Sequence, residues 1–240
     1  MSLKRPEKAT FYREIASSQQ ICALAEFNQV LKSVNEANCL DVLLFSHLIA
    51  LHAFWDIFTS IDDDLSVFLD RLLGCIRMLR GINVVIRTWW NTLVQTELGA
   101  IILNADQQQN TPKPSSQECD HLQKMIDEAD ISEASMGVYC DSLESLQTYF
   151  DSENAFGTSA SSTHQVFAWL VVASEAYTDL LDQRRPEALV FLAYFALLLH
   201  RRNQSWVIGD AGRRLLRHIR SYLGKRWDRW LDYPLRLMEE

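Results

Sequence analysis

The chain has 240 residues, 48% of them hydrophobic, which is enough apolar material for one domain core and too much for a disordered chain. Eight Gly, five Pro and little strict alternation of apolar and polar residues favour helix over sheet. The formal charge of −8 divides unevenly: residues 183–240 hold 12 Arg/Lys against 6 Asp/Glu, and residues 1–182 hold 11 against 25.

In chain order, no apolar run follows Lys4 and Arg5, so no secretory signal is read there. A first helix is expected from about Thr10 to Val34, with Ile15, Cys22, Ala25 and Val30 near helical spacing. A second spans about Asn38 to Phe58, where Leu40, Leu43, Leu44, Leu48, Leu51 and Trp55 form a wide apolar stripe. Asp62 reads as the N-cap of a third, which carries Leu65, Phe68, Leu69, Leu72, Leu73, Ile76 and Leu79. Gly81 is expected to break it, and residues 84–90 to begin another short helix. Residues 104–120 read as a flexible polar loop with two prolines, and residues 151–163 as a second, small-residue loop. Between them lies a helical pair near 119–130 and 133–150. Val166 to Leu181 is expected as one helix, followed by helices at 186–201 and 210–223.

The helix at 186–201 carries the strongest signal. Pro186 suits a first helical position, and Ala188 to Leu199 are twelve unbroken apolar residues bracketed by Arg184, Arg185, Arg201 and Arg202. A membrane crossing takes about 20 such residues, and no window in the chain is read as reaching that length. The segment is therefore the central, all-round buried helix of an all-α, single-domain protein of roughly ten helices over residues 1–240. The location expected from these features is intracellular, cytoplasmic or nuclear.

Motifs that carry chemistry are scarce. Asp62, Asp63 and Asp64 could invite Mg²⁺, but Leu65 and Ser66 follow and no D-D-x-x-D forms, so the run reads as a helix start. Cys22, Cys39, Cys75, Cys119 and Cys140 are odd in number and lack a C-x-x-C pair, which leaves neither a disulfide framework nor a metal site. The six histidines form no H-x-x-x-H, and no nucleotide-binding motif or nucleophile elbow occurs, so no cofactor is expected. The basic C-terminal region raises nucleic acid as a partner. No groove-reading motif supports it. Arg213, Arg214, Arg217 and Arg220 are expected to pair with the acidic remainder or form a solvated face.

The aromatics say more. There are seven Trp, and Trp55, Trp89, Trp90, Trp169 and Trp206 sit on helices that must pack together, either as core or as walls for an apolar ligand. Tyr194, His200 and Arg87 are the candidate polar groups beside them.

The block Pro186–His200, Trp206, Gly209-Asp-Ala-Gly-Arg-Arg-Leu-Leu216 and Trp227-x-x-Trp230-Leu-x-x-Pro234 resembles the C-terminal regulatory domain of fungal binuclear zinc-cluster transcription factors, particularly the sterol uptake control group. Residues 17–27, 36–39, Phe45-Ser46 and Leu79-Arg80-Gly81 to Ile86 fit in the same order, so the resemblance covers roughly residues 10 to 236. It implies a sterol-, isoprenoid- or polyketide-like ligand in an apolar pocket among the central helices. Trp55, Trp89, Trp90, Trp169, Tyr194, His200 and Trp206 are the expected ligand-binding residues. The six-cysteine cluster that reads DNA in that family is absent, so direct DNA binding is not carried over.

Against the family pattern, Met1 is expected as a natural start lacking one long apolar helix. That loss would open a groove or leave an apolar face for a homodimer or a heterodimer with a regulator. The alternative to a binding module is a stand-alone, cofactor-independent cyclase or pericyclase of fungal secondary metabolism. It would use the same pocket, with His200, Tyr194 and Arg87 as catalytic candidates. A third reading is a purely structural partner, whose core would be filled where the pocket should be.

Overall fold

A helix with no polar side can persist only inside other protein. In the computed structural model, which describes residues 9–59, 64–110, 115–157 and 163–239, every side chain from Ala188 to Leu199 is buried. That helix is the tenth of twelve α-helices among the described residues, which contain no strand. The order is α1 (Ala9–Val30), α2 (Cys39–Thr59), α3 (Leu65–Thr88), α4 (Trp90–Leu93), α5 (Gly99–Asn110) and α6 (Asp120–Glu128). There follow α7 (Glu133–Phe156), α8 (Thr163–Val172), α9 (Glu175–Asp182), α10 (Pro186–His200), α11 (Ala211–Leu223) and α12 (Asp228–Glu239). The all-α class is as the sequence implies.

α10 is wrapped by α6, α7, α9, α11 and α12, while α2 packs on α3, and α3 on α8, α9 and α11. The closest approach is between α10 and α11. α11 is strongly amphipathic, with Ala211, Gly212, Leu215, Leu216, Ile219 and Leu223 buried and Arg213, Arg217 and Arg220 exposed. A Cβ at Gly212 would stand 2.5 Å from the Ala196 carbonyl oxygen and 2.7 Å from the His200 nitrogen. The two backbones touch, and only glycine fits.

Four local readings of the sequence are corrected. α3 does not stop at Gly81 but runs to Thr88. Leu79 and Ile82 are buried on either side of that glycine, and their burial outweighs its helix penalty of about 1 kcal/mol. The cap of α3 is Asp64, whose carboxylate accepts from the Ser66 N–H at 2.9 Å; Asp62 and Asp63 lie outside the described residues. The two polar stretches are partly helical, because α5 continues to Asn110 and α7 to Phe156. Gly157, with φ 75°, ends α7, and residues 111–114 and 158–162 lie outside the described residues. The single helix expected over 166–181 is two. Ser174 caps α9 by accepting from the Tyr177 N–H at 3.1 Å, and Arg80 donates to the carbonyls of Val171 (3.2 Å), Ala173 and Ser174 (3.3 Å) at the end of α8.

A fifth correction concerns length. α2, at 21 residues, is long and apolar enough to cross a membrane, contrary to the sequence reading. Val42, Ile49, Phe54, Ile57 and Phe58 from this helix are in the core.

Two glycine substitutions separate these effects. Gly212→Ala forces α10 and α11 apart and should cost about 3 kcal/mol, as overpacking of a tight contact does. At Gly81 a Cβ meets nothing within 4 Å, so Gly81→Ala should stabilise by roughly 0.5–1 kcal/mol. Urea unfolding of both variants beside the parent checks the opposite signs.

Candidate functional site

The polar chemistry lies at the two ends of α10, because its middle offers none. At the N-terminal end, α9 closes in a left-handed turn at Arg184, φ 58°. The Arg185 N–H reaches the Leu180 carbonyl and the Arg184 N–H that of Leu181, both at 3.0 Å. A glycine is usual there. Arg184 holds the position through its guanidinium, which donates to the Ser66 carbonyl at 3.2 Å and to the Asp70 carboxylate of α3.

Next to that turn lies a cleft of about 440 Å³ between the end of α6, the start of α10 and the approach to α12. Met125, Ala129, Pro186, Trp227 and Trp230 give it apolar walls; Glu128, Asp130, Arg185, Glu187, Arg226 and Arg229 supply charge. Arg229 spans the rim, pairing with Glu128 at 3.2 Å while its guanidinium lies 4.3 Å from the centre of the Trp230 ring. Below, Arg185 and Glu187 approach at 3.7 Å. Buried Tyr139 stacks on Phe191, and its hydroxyl is pushed up to about 12, by burial first and by the negative charge of Glu187 second.

The C-terminal end of α10 carries a charge network. Arg201 reaches Glu118 at 3.4 Å and Glu153 at 3.2 Å, and buried Arg202 pairs with Glu153. Cations at this end are favoured by the helix dipole. Asn154 donates to Glu118 at 2.8 Å; Gln147 donates to Ser116 and to Asp151 at 2.7 Å, and Ser116 in turn donates to Asp151. This ties the segment before α6 to α7 and to α10.

The expected site residues are not gathered around one cavity. Trp169 is fully buried, stacked on Phe195 and tilted against Tyr177, and Tyr194 is fully buried against Tyr233. Trp55, Trp89 and Trp90 are half-buried on α2 and around α4, and none of them lines the cleft. Trp206 is 74% exposed, because the turn that carries it projects between α10 and α11. His200 is half-buried, and burial first and Arg213 second hold its pKa below the usual histidine value. Tyr194 lies six residues from it, about 9 Å along the helix and on another side, and Arg87 is exposed on the last turn of α3. These three candidates do not form one catalytic set.

The cleft residues were missed, although Trp227 and Trp230 stood in the recognised C-terminal pattern. The signal was their partner: Arg226 and Arg229 precede each Trp, placing a guanidinium over an indole. The basic C-terminal region is largely engaged within the protein. Arg214 donates to the Phe58 and Thr59 carbonyls that end α2, and Arg220 forks onto Asp228 at 3.0 and 3.1 Å.

Glu118 makes the C-terminal network sensitive to acid. Burial alone would raise its pKa, but hydrogen bonds from Asn154 and Ser116 and the charge of Arg201 hold it below the ordinary 4.5. A carboxyl lowered on folding adds stability above its unfolded pKa and loses it as pH falls through the folded value. The gap in Tm between the protein and Glu118→Gln should therefore be widest at neutral pH and narrow below about pH 4.5. Thermal unfolding across that range checks it.

Over 66 residues, 27% of this chain and 13% of the relative, the sequence is 41% identical to a "Zn(2)-C6 fungal-type transcription factor" of Gibberella zeae. The aligned part is thus a small fraction of that protein's length. No family model and no solved structure matches the chain. The similarity supports a protein related to fungal transcription factors.

Proposed function

We propose that this is a regulatory module of the fungal zinc-cluster transcription-factor type, of the sterol uptake control kind, that takes an apolar sterol-, isoprenoid- or polyketide-like molecule without itself contacting DNA. The carrying observation is the cleft at the start of α10, whose volume of about 440 Å³ lies within the range of small-molecule sites. Its walls are two indoles, a proline and a methionine, and its charged groups stand where they would orient one polar end of a ligand. In this reading the ligand acts on the helices that meet at the cleft, α6, α10 and α12. Such a module works inside the cell, with its regulator or in place of one.

A second reading, a structural partner with no ligand, is favoured by the filled packing around Trp169 and Tyr194 where a central pocket was expected. The two part cleanly under experiment. Purified protein is incubated with a lipid extract of a filamentous fungus, and native mass spectrometry reads what stays bound. Ligand binding predicts a bound, unaltered compound that quenches tryptophan fluorescence. It also predicts at least tenfold weaker binding by Ala129→Trp, which fills the cleft and leaves the core alone. A protein that retains nothing, or an Ala129→Trp variant that binds as well as the parent, overturns the cleft as the ligand site.

A further inference from the structure

Glu187 is buried further than its place in the helix requires. A carboxylate in the first turn is favoured by the dipole even with its side chain in water. Here the side chain is 12% exposed and lines the cleft. Its ion-pair partner is Arg185, two residues back at the N-cap of α10, and the 3.7 Å between Oε2 and Nε is too long for a hydrogen bond. Both atoms are shut off from solvent and neither makes a hydrogen bond within the protein. The buried Tyr139 hydroxyl feels both charges and completes a hydrogen bond with neither. Buried polar groups are nearly always paired, and an ion pair this far out of water needs more than one loose contact. Three such groups beside one cleft point to a polar partner that comes from the cleft.

We propose that Glu187 and Arg185 are the selecting residues of the cleft and that they take a neutral apolar alcohol, whose hydroxyl donates to the Glu187 carboxylate and accepts from the Arg185 guanidinium. This rests on the cleft being the ligand site and adds which end group it selects.

The chemistry of the pair disfavours the other end groups. A carboxylate accepts from Arg185 but meets Glu187, charge against charge. An ammonium suits Glu187 and meets Arg185 instead. A ketone or an ether accepts from Arg185 yet brings no proton to Glu187. A hydroxyl serves both, because it is uncharged and can donate and accept at one atom. The surroundings agree: Arg185, Arg226 and Arg229 are balanced by Glu128, Asp130 and Glu187, so the lining has no net charge with which to hold an ion. Trp227, Pro186 and Met125 supply the apolar wall for the rest of the molecule.

Isothermal titration with farnesol, its methyl ether and farnesoate tests the selection, since the three share one apolar chain and differ at the end group. Farnesol should bind at least tenfold tighter than the ether, which lacks the proton, and than the acid, which meets Glu187. Glu187→Gln keeps the size of the side chain and offers an amide that can donate. It should bring the ether within threefold of the alcohol and tighten farnesoate at least tenfold, a reversal that mere loss of structure does not produce. Arg185→Met removes the donor and should weaken farnesol at least tenfold, so the outcome does not hang on one variant; circular dichroism confirms that both fold. If Ala129→Trp weakens all three probes but the parent binds them within threefold of one another, the cleft stands as the ligand site and the selection by Glu187 and Arg185 is overturned. An order that Glu187→Gln leaves unchanged overturns it as well. If none of the probes binds, or Ala129→Trp has no effect on them, the cleft reading and this one fall together.

Discussion

The whole arrangement depends on one constraint: α10 has no side that water can touch. Twelve consecutive apolar residues would expose a hydrophobic surface in any position except the centre, so five other helices are drawn around it. The neighbours then obey its needs. α11 must present glycine at the crossing because the Ala196 carbonyl and His200 nitrogen stand where a Cβ would go. α9 must supply Tyr177, whose hydroxyl donates to the Ala188 carbonyl at 3.1 Å. α8 and α7 contribute rings, Trp169 on Phe195 and Tyr139 on Phe191, that fill the space between.

A helix buried along its length must put its charges at its ends, and that is where this protein concentrates them. At one end Arg201 and Arg202 sit on the negative pole of the dipole and are matched by Glu118 and Glu153. Burial lowers the pKa of Arg202 to about 10. Such pairs add little net stability over an apolar core, but breaking one strands a buried charge. They therefore fix register: the segment before α6 can dock in only one place. At the other end the charges of Arg185, Glu187, Glu128 and Arg229 are less enclosed, and a cleft remains between them.

α10 and α11 were legible because their patterns allow one interpretation: an unbroken apolar run with a proline start, and an arginine-studded helix with buried residues at i, i+4 and i+8. Boundaries set by tertiary contacts were not. Nothing near Gly81 announces that Leu79 and Ile82 will be buried on both sides of it, and nothing at Ala173 announces that a guanidinium 93 residues away will donate to the end of a helix there. Residues 104–110 looked like loop because they are polar, yet polarity does not break a helix, and α5 continues through them to Asn110. The site was least legible of all. Trp and Tyr mark both a core and a pocket wall, and composition cannot say which; in this fold Trp169 and Tyr194 went to the core, Trp227 to the cleft, and buried Trp230 borders both.

The packing is uneven along the chain, and the unevenness bears on regulation. Movement of α10 would open cavities on every side, each costing about 24 cal/mol per Å³, so a ligand cannot act by displacing it. The parts that can respond are those held by few contacts: the Arg229–Glu128 bridge at the rim of the cleft, and α1, anchored by Phe27. In the proposed reading, occupancy shifts α12 against α6 over a fixed α10.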